Sequence, residues 1–168
     1  MKKAKPERPT DAPPGTVWFG GPIHWFHISL KVRGENLVPE EITALMRREP
    51  DQAGQKGKPL HRKDGSLMRV PKNGFWSVDL YSKDTDEWDC GEAMLALLSS
   101  LPGDLEIWRD LAARYEISFF VGLRMAAANK GFELSPAVLR HLGERGISAG
   151  FDIYFEPEDI AGSLERPS

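Results

Sequence analysis

One skeleton occurs twice in the chain and constrains its fold more than any other feature. Residues 34–46 and 131–143 share Gly-x-x-Leu-x-Pro-x-x-(Ile/Leu)-x-x-Leu. The first copy carries Gly34, Leu37, Pro39, Ile42 and Leu45, and the second carries Gly131, Leu134, Pro136, Leu139 and Leu142. Proline suits the first position of a helix, where its missing N–H is not needed. Ser135 then stands at the N-cap of the second helix, where a hydroxyl accepts from an early helix N–H. Val38 occupies the same place in the first copy and cannot cap, although Glu40 and Glu41 suit the positive end of the helix dipole. Leu37 with Ile42, and Leu134 with Leu139, fall at the positions of a hydrophobic staple. Leu45 and Leu142 continue each stripe. Both copies follow a strand-like run, so the skeleton predicts two related β-α units.

The rest of the chain fills in around these units. Residues 23–33 alternate Phe26, Ile28, Leu30 and Val32 with His27, Ser29, Lys31 and Arg33, the pattern of a strand with one buried and one wetter face. A helix over 39–47 ends at Pro50, and 51–65 reads as a loop. Asn73-Gly74 between 66–70 and 75–81 predicts a hairpin, with Trp76, Val78 and Leu80 on one face and Phe75, Ser77, Asp79 and Tyr81 on the other. Met94, Leu97, Leu98 and Leu101 have helical spacing. Pro102-Gly103 breaks that helix, and Asp104 caps another carrying Leu105, Trp108 and Leu111. A strand over 117–123, a link over 124–130, the second skeleton helix and a last strand over 148–155 follow. In that last strand Phe151, Ile153 and Phe155 point inward. The expected fold is α+β: a two-layer sandwich of a mostly antiparallel sheet with helices on one face, built from repeated β-α units and related to ferredoxin-like folds. One domain spans 17–155. The proline-rich 1–16 and the charged 156–168 read as disordered tails.

Composition excludes several classes. A net charge of -3 gives no global attraction to nucleic acid or anionic membrane, so neither is an expected partner. No apolar run reaches the roughly 20 residues of a membrane span. Lys2, Lys3 and Lys5 precede no apolar segment, so the start does not read as a signal peptide. The single cysteine, Cys90, excludes an internal disulfide and fits a reducing cytoplasm.

Several motifs in order carry a family likeness: Leu37-x-Pro39-x-x-Ile42-Thr43, Lys56-Gly57-Lys58, Gly74-Phe75-Trp76-Ser77, Trp108-x-x-Leu111, Gly131-Phe132-x-Leu134-Ser135-Pro136 and Phe151-Asp152-Ile153-Tyr154. From about residue 26 to 155 the chain resembles the bacterial domain of unknown function 4279 family. The resemblance implies a bacterial, single-domain α+β protein and brings no activity, cofactor or site residue with it. The family's loop usually ends in Gly-Asp, and here Gly57-Lys58 stands instead.

No catalytic constellation stands out. His24 and His27, three apart on a strand, face opposite sides and make a poor metal pair. Cys90 sits among Asp86, Glu87, Asp89 and Glu92, which push its pKa up, so it reads as a structural thiol. A Gly-x-Ser-x-Gly elbow is missing. The segment 54–58 lacks the spacing and hydroxyl of a phosphate loop, and Pro59 blocks helix entry. The five tryptophans read as core or interface anchors. No cofactor or metal is expected.

Two surfaces carry the functional expectations. Residues 56–72 hold six cations against one acid, and 84–92 hold five acids. Of the cations, Lys56, Lys58, Arg62 and Lys63 are candidates for steering a charged protein partner. The sheet face opposite the helices should present His27, Lys31, Asp79, Phe120, Asp152 and Tyr154, with Ser29 and Ser77 among them. A few polar groups beside aromatic walls are what a ligand site needs. The leading expectation is a non-catalytic bacterial protein-binding module of regulatory or toxin-neutralising type. The alternatives are a small-ligand binder using the open sheet face and an uncharacterised enzyme. Oligomeric state has no signature in the sequence.

Overall fold

The computed structural model describes residues 25–81, 89–125 and 132–155. Both expected tails lie outside them, as do His24, Trp18, Trp88 and most of the acidic run. Strand β1 (Trp25–Gly34) leads through helix α1 (Pro39–Met46) to three short strands, β2 (Gln52–Gly54), β3 (Leu60–His61) and β4 (Leu67–Arg69), and then to β5 (Gly74–Tyr81). Helices α2 (Cys90–Ser99) and α3 (Leu105–Arg114) follow. The chain then runs through β6 (Glu116–Met125), α4 (Pro136–Glu144) and β7 (Ser148–Phe155).

Five strands form one sheet in the order β2-β5-β1-β6-β7, and β3 and β4 form a separate pair. Every pairing in the large sheet is antiparallel except β6 with β7, which is parallel. The fold is therefore α+β with a mixed sheet. Alternation along β1 works as the sequence predicts. Phe26, Ile28, Leu30 and Val32 are fully buried, with Trp76 and Val78 of β5 and Ile117, Phe119, Val121 and Leu123 of β6 beside them. Onto this face pack α1 at β5, α2 at β1 and α3 at β6, while α4 leans on α2. Two buried tryptophans satisfy their indole N–H groups: Trp76 donates to Thr43 Oγ1 at 3.1 Å and Trp108 to the Pro102 carbonyl at 2.8 Å. A buried indole N–H needs such a partner.

Helix starts follow local chemistry. Ser135 accepts from the Val138 N–H and Asp104 from the Glu106 N–H, as expected, and Val38 makes no side-chain cap. Asp89 caps α2 by accepting from Gly91 and Glu92.

Several expectations are corrected. Asn73-Gly74 makes no hairpin: β4 pairs with β3, and β5 pairs with β1 and β2. The favoured two-residue turn needs positive φ at both residues, and neither has it. Gly74 is needed for a close approach instead, since a Cβ there would lie 2.4 Å from the Leu37 carbonyl oxygen. Helix α1 stops at Met46, ahead of Pro50, because Arg47 turns to a left-handed φ of 52°. The segment expected as a plain loop contains β2 and β3.

The two skeleton helices also bury different positions. In α1 the inward residues are Ile42 and Met46. In α4 they are Val138 and Leu142, and Leu139, the counterpart of Ile42, is 55% exposed. A shift of one residue is a rotation of about 100°. It follows from the different partners, β5 for α1 and α2 for α4. Ile153 was expected inward and is exposed, because β7 is the edge of the sheet.

Candidate functional site

The face of the sheet away from the helices is assembled by register. Antiparallel pairing sets Ser29 beside Asp79 on one side and Phe120 on the other, and sets Lys31 between Ser77 and Ser118. His27 lies between Tyr81 and Gly122, whose other neighbour is Asp152. Residues two apart on a strand share a face, so these rows follow directly from the pairing.

His27 is the best-fixed side chain. Its ring stacks on Tyr81 with centroids 4.3 Å apart and planes 3° from parallel. Its Nε2 lies 3.3 Å from Asp79 Oδ1. A carboxylate only accepts, so this contact holds the proton on Nε2. The Asp79 backbone N–H donates in turn to Asp51 Oδ2 at 2.7 Å. Lys31 Nζ sits 4.1 Å above the Phe120 ring. Burial lowers the Lys31 pKa, the charge of Arg33 lowers it further, and Asp79 partly opposes both. Tyr81 is shifted up by burial and then by the nearby Asp79 and Asp51.

A groove of about 370 Å³ opens on this face. Its floor is His27, Ser29, Lys31, Ser77 and Asp79, and its wall is Arg69 at the end of β4 with Pro71, Lys72 and Asn73 of the β4–β5 connection. Three of the six sequence-predicted ligand residues, His27, Lys31 and Asp79, therefore meet in one groove, and Phe120 touches it through Lys31. Asp152 and Tyr154 do not join them. They stand two strands from β1 and pair with each other, the Tyr154 hydroxyl donating to Asp152 Oδ2 at 2.6 Å. That bond raises the Tyr154 pKa. Sequence reasoning missed Arg33, Arg69 and Lys72 as groove residues. Arg33 was within reach, since it continues the alternation of His27 and Lys31. The positions of Arg69 and Lys72 depend on how the β4–β5 connection crosses the sheet, which no local signal encodes.

The four residues expected to meet a partner lie elsewhere. Lys56, Lys58, Arg62 and Lys63 are exposed on the β2–β4 segment. Lys56 pairs with Glu35, an exposed contact of little energetic weight. Arg62 is turned back on its own hairpin, donating to Ser66 Oγ and the Leu67 carbonyl. Leu67, Met68 and Val70 are exposed on the same hairpin.

Cys90 is buried at the first turn of α2, and its thiol is pushed up to about 11 by burial and then by Asp89. Among the described residues, no three His, Cys, Asp or Glu side chains gather as a metal-holding set. His27 has no hydroxyl or thiol hydrogen-bonded to it there either. Among those residues no helix is long and apolar enough to cross a membrane. No curated protein and no solved structure matches the chain. A family model matches residues 24–156, most of the chain, and the protein belongs to that family, the domain of unknown function DUF4279.

Proposed function

We propose that this protein binds a small ligand in the groove on its open sheet face and carries out no chemistry on it. One observation carries the reading: Lys31, Asp79 and a His27 ring pinned between Tyr81 and Asp79 converge on one groove. Its volume lies near the lower end of the range for small-molecule sites, roughly 300–1,000 Å³. Fixed polar groups reduce the ordering cost of binding. The His27–Asp79 pair resembles half of an acid–base relay, but among the described residues no hydroxyl or thiol is hydrogen-bonded to His27, which supports binding over catalysis. The proposal includes a bacterial cytoplasmic setting, consistent with one buried thiol. The test is a ligand-observed NMR screen of a neutral and charged fragment library against the wild type and His27→Ala/Tyr81→Ala. Hits that disappear with the double variant support the reading. Hits that bind both proteins equally contradict it.

A second reading has its own observation. The β3–β4 hairpin presents Leu67, Met68 and Val70 beside Lys56, Lys58, Arg62 and Lys63. Apolar side chains rimmed by cations suit an acidic protein partner, of regulatory or toxin-neutralising type. Pull-downs from the native host with wild type and Leu67→Ser/Met68→Ser should differ by one stoichiometric partner. Identical profiles would count against this reading.

A further inference from the structure

The charges around the groove do not balance. Lys31, Arg33, Arg69 and Lys72 line it, and Asp79 is the single carboxylate among its lining residues. Asp79 is itself committed: its side chain is 6% exposed and lies against His27. None of the four cations forms an ion pair with a described residue. Lys31 and Arg69 are held over the rings of Phe120 and Phe75 instead, at 4.1 and 4.6 Å. Ring faces position a cation without neutralising it. Folding thus gathers four cations around one concavity, with Glu116 beside Arg33 in the strand register and Asp79 the one carboxylate in the groove lining. Burial, and then Arg33, disfavour the Lys31 ammonium, and Asp79 partly opposes them. Concave surfaces lined by one sign of charge concentrate the opposite ion.

We infer that the groove binds a small oxyanion, a molecule carrying a carboxylate or phosphoryl group, held by Lys31, Arg33, Arg69 and Lys72. This rests on the groove being the ligand site. The Ser29 and Ser77 hydroxyls on the floor and the Asn73 amide on the wall are neutral groups of the kind that orient such a ligand. Arginine provides the planar fork that matches either oxyanion, and lysine the point charge. At about 370 Å³ the groove suits a compact molecule better than a polymer backbone.

The experiment uses the full ¹⁵N-labelled chain at low salt and pH 7, titrated separately with inorganic phosphate, succinate and neutral succinamide. At least one anion should give saturable amide shifts confined to residues 27–33 and 69–79. Succinamide should bind about tenfold more weakly or worse. Saturation by phosphate alone assigns a phosphoryl ligand, and by succinate alone a carboxylate. Arg33→Gln/Lys72→Gln should reduce the affinity by about tenfold or more with the spectrum otherwise preserved, while Lys56→Gln/Lys63→Gln should leave it unchanged. Succinamide binding as well as succinate would overturn the oxyanion assignment and leave the groove as a ligand site. So would anions that fail where neutral fragments still shift these amides. Silence of the groove toward every probe would overturn both. Anion shifts spread equally over 56–63 would reduce the effect to general screening and also overturn the inference.

Discussion

The two faces of the central sheet are made from alternate residues of the same strands, and they are built on opposite terms. On one face Phe26, Ile28, Leu30 and Val32 are sealed against helices. On the other, His27 stands against Asp79, and Lys31 and Arg33 stand around a groove without an ion pair to any described residue. The first face needs volume and shape. The second holds polar groups at fixed separations, and the packing beneath keeps them there. Stability and binding should therefore separate cleanly by face.

The largest effect is expected from Trp76→Ala. This residue is fully buried on the helix face, and its loss should cost about 3–5 kcal/mol in urea denaturation. Tyr81→Ala on the opposite face of the same strand is half exposed and should cost under about 1 kcal/mol. Comparable losses would erase the distinction between the faces.

The next contrast lies within α4. Leu142→Ala should cost about 2–5 kcal/mol and Leu139→Ala under about 1 kcal/mol, since only Leu142 is buried. Equal costs would restore the stripe read from the repeat.

A smaller effect concerns pH. The folded state favours the protonated Cys90 thiol, with a pKa raised from 9.0 to about 11. Its contribution is complete below pH 9 and declines as pH rises through that interval. Wild-type stability should fall relative to Cys90→Ala between pH 9 and about 11, and a constant difference would contradict this. Native Cys90 should also resist thiol reagents at pH 8 until the protein unfolds.

Lys31→Met should change stability least. The Lys31 pKa is lowered, so the folded state disfavours its ammonium. The variant should match or slightly exceed the wild type below the folded Lys31 pKa, by under about 1 kcal/mol. That advantage should shrink as pH rises through the folded pKa and past 10.5, above which the amine is neutral in both states. Clear destabilisation at neutral pH would mean that the ammonium is a structural contact.

What was legible in the sequence divides by range. Period-two alternation identified both faces of β1, β5 and β6, because a side chain's face depends only on its own strand. Ser135 and Asp104 were legible as caps because capping spans three residues. Leu139 misled because Val138 and Leu142 make as good a helical stripe as Leu139 and Leu142, and only the packing of α4 on α2 selects between them. Asn73-Gly74 misled because pairing between β5 and β1, which sets Ser29 beside Asp79 far along the chain, outweighs a local turn preference. The groove was half legible. His27, Lys31 and Asp79 follow from alternation, whereas Arg69 and Lys72 arrive through a connection with no periodic signature.

The central claim is that the polar face is a free working surface and not a second interior. The most direct test is the unfolding free energy of Phe120→Ala/Tyr154→Ala, measured beside Trp76→Ala under the same conditions. A free surface predicts a loss of no more than about 1–2 kcal/mol, well short of the Trp76→Ala value. A loss equal to that of Trp76→Ala would show that the face is packed over, and would contradict the account.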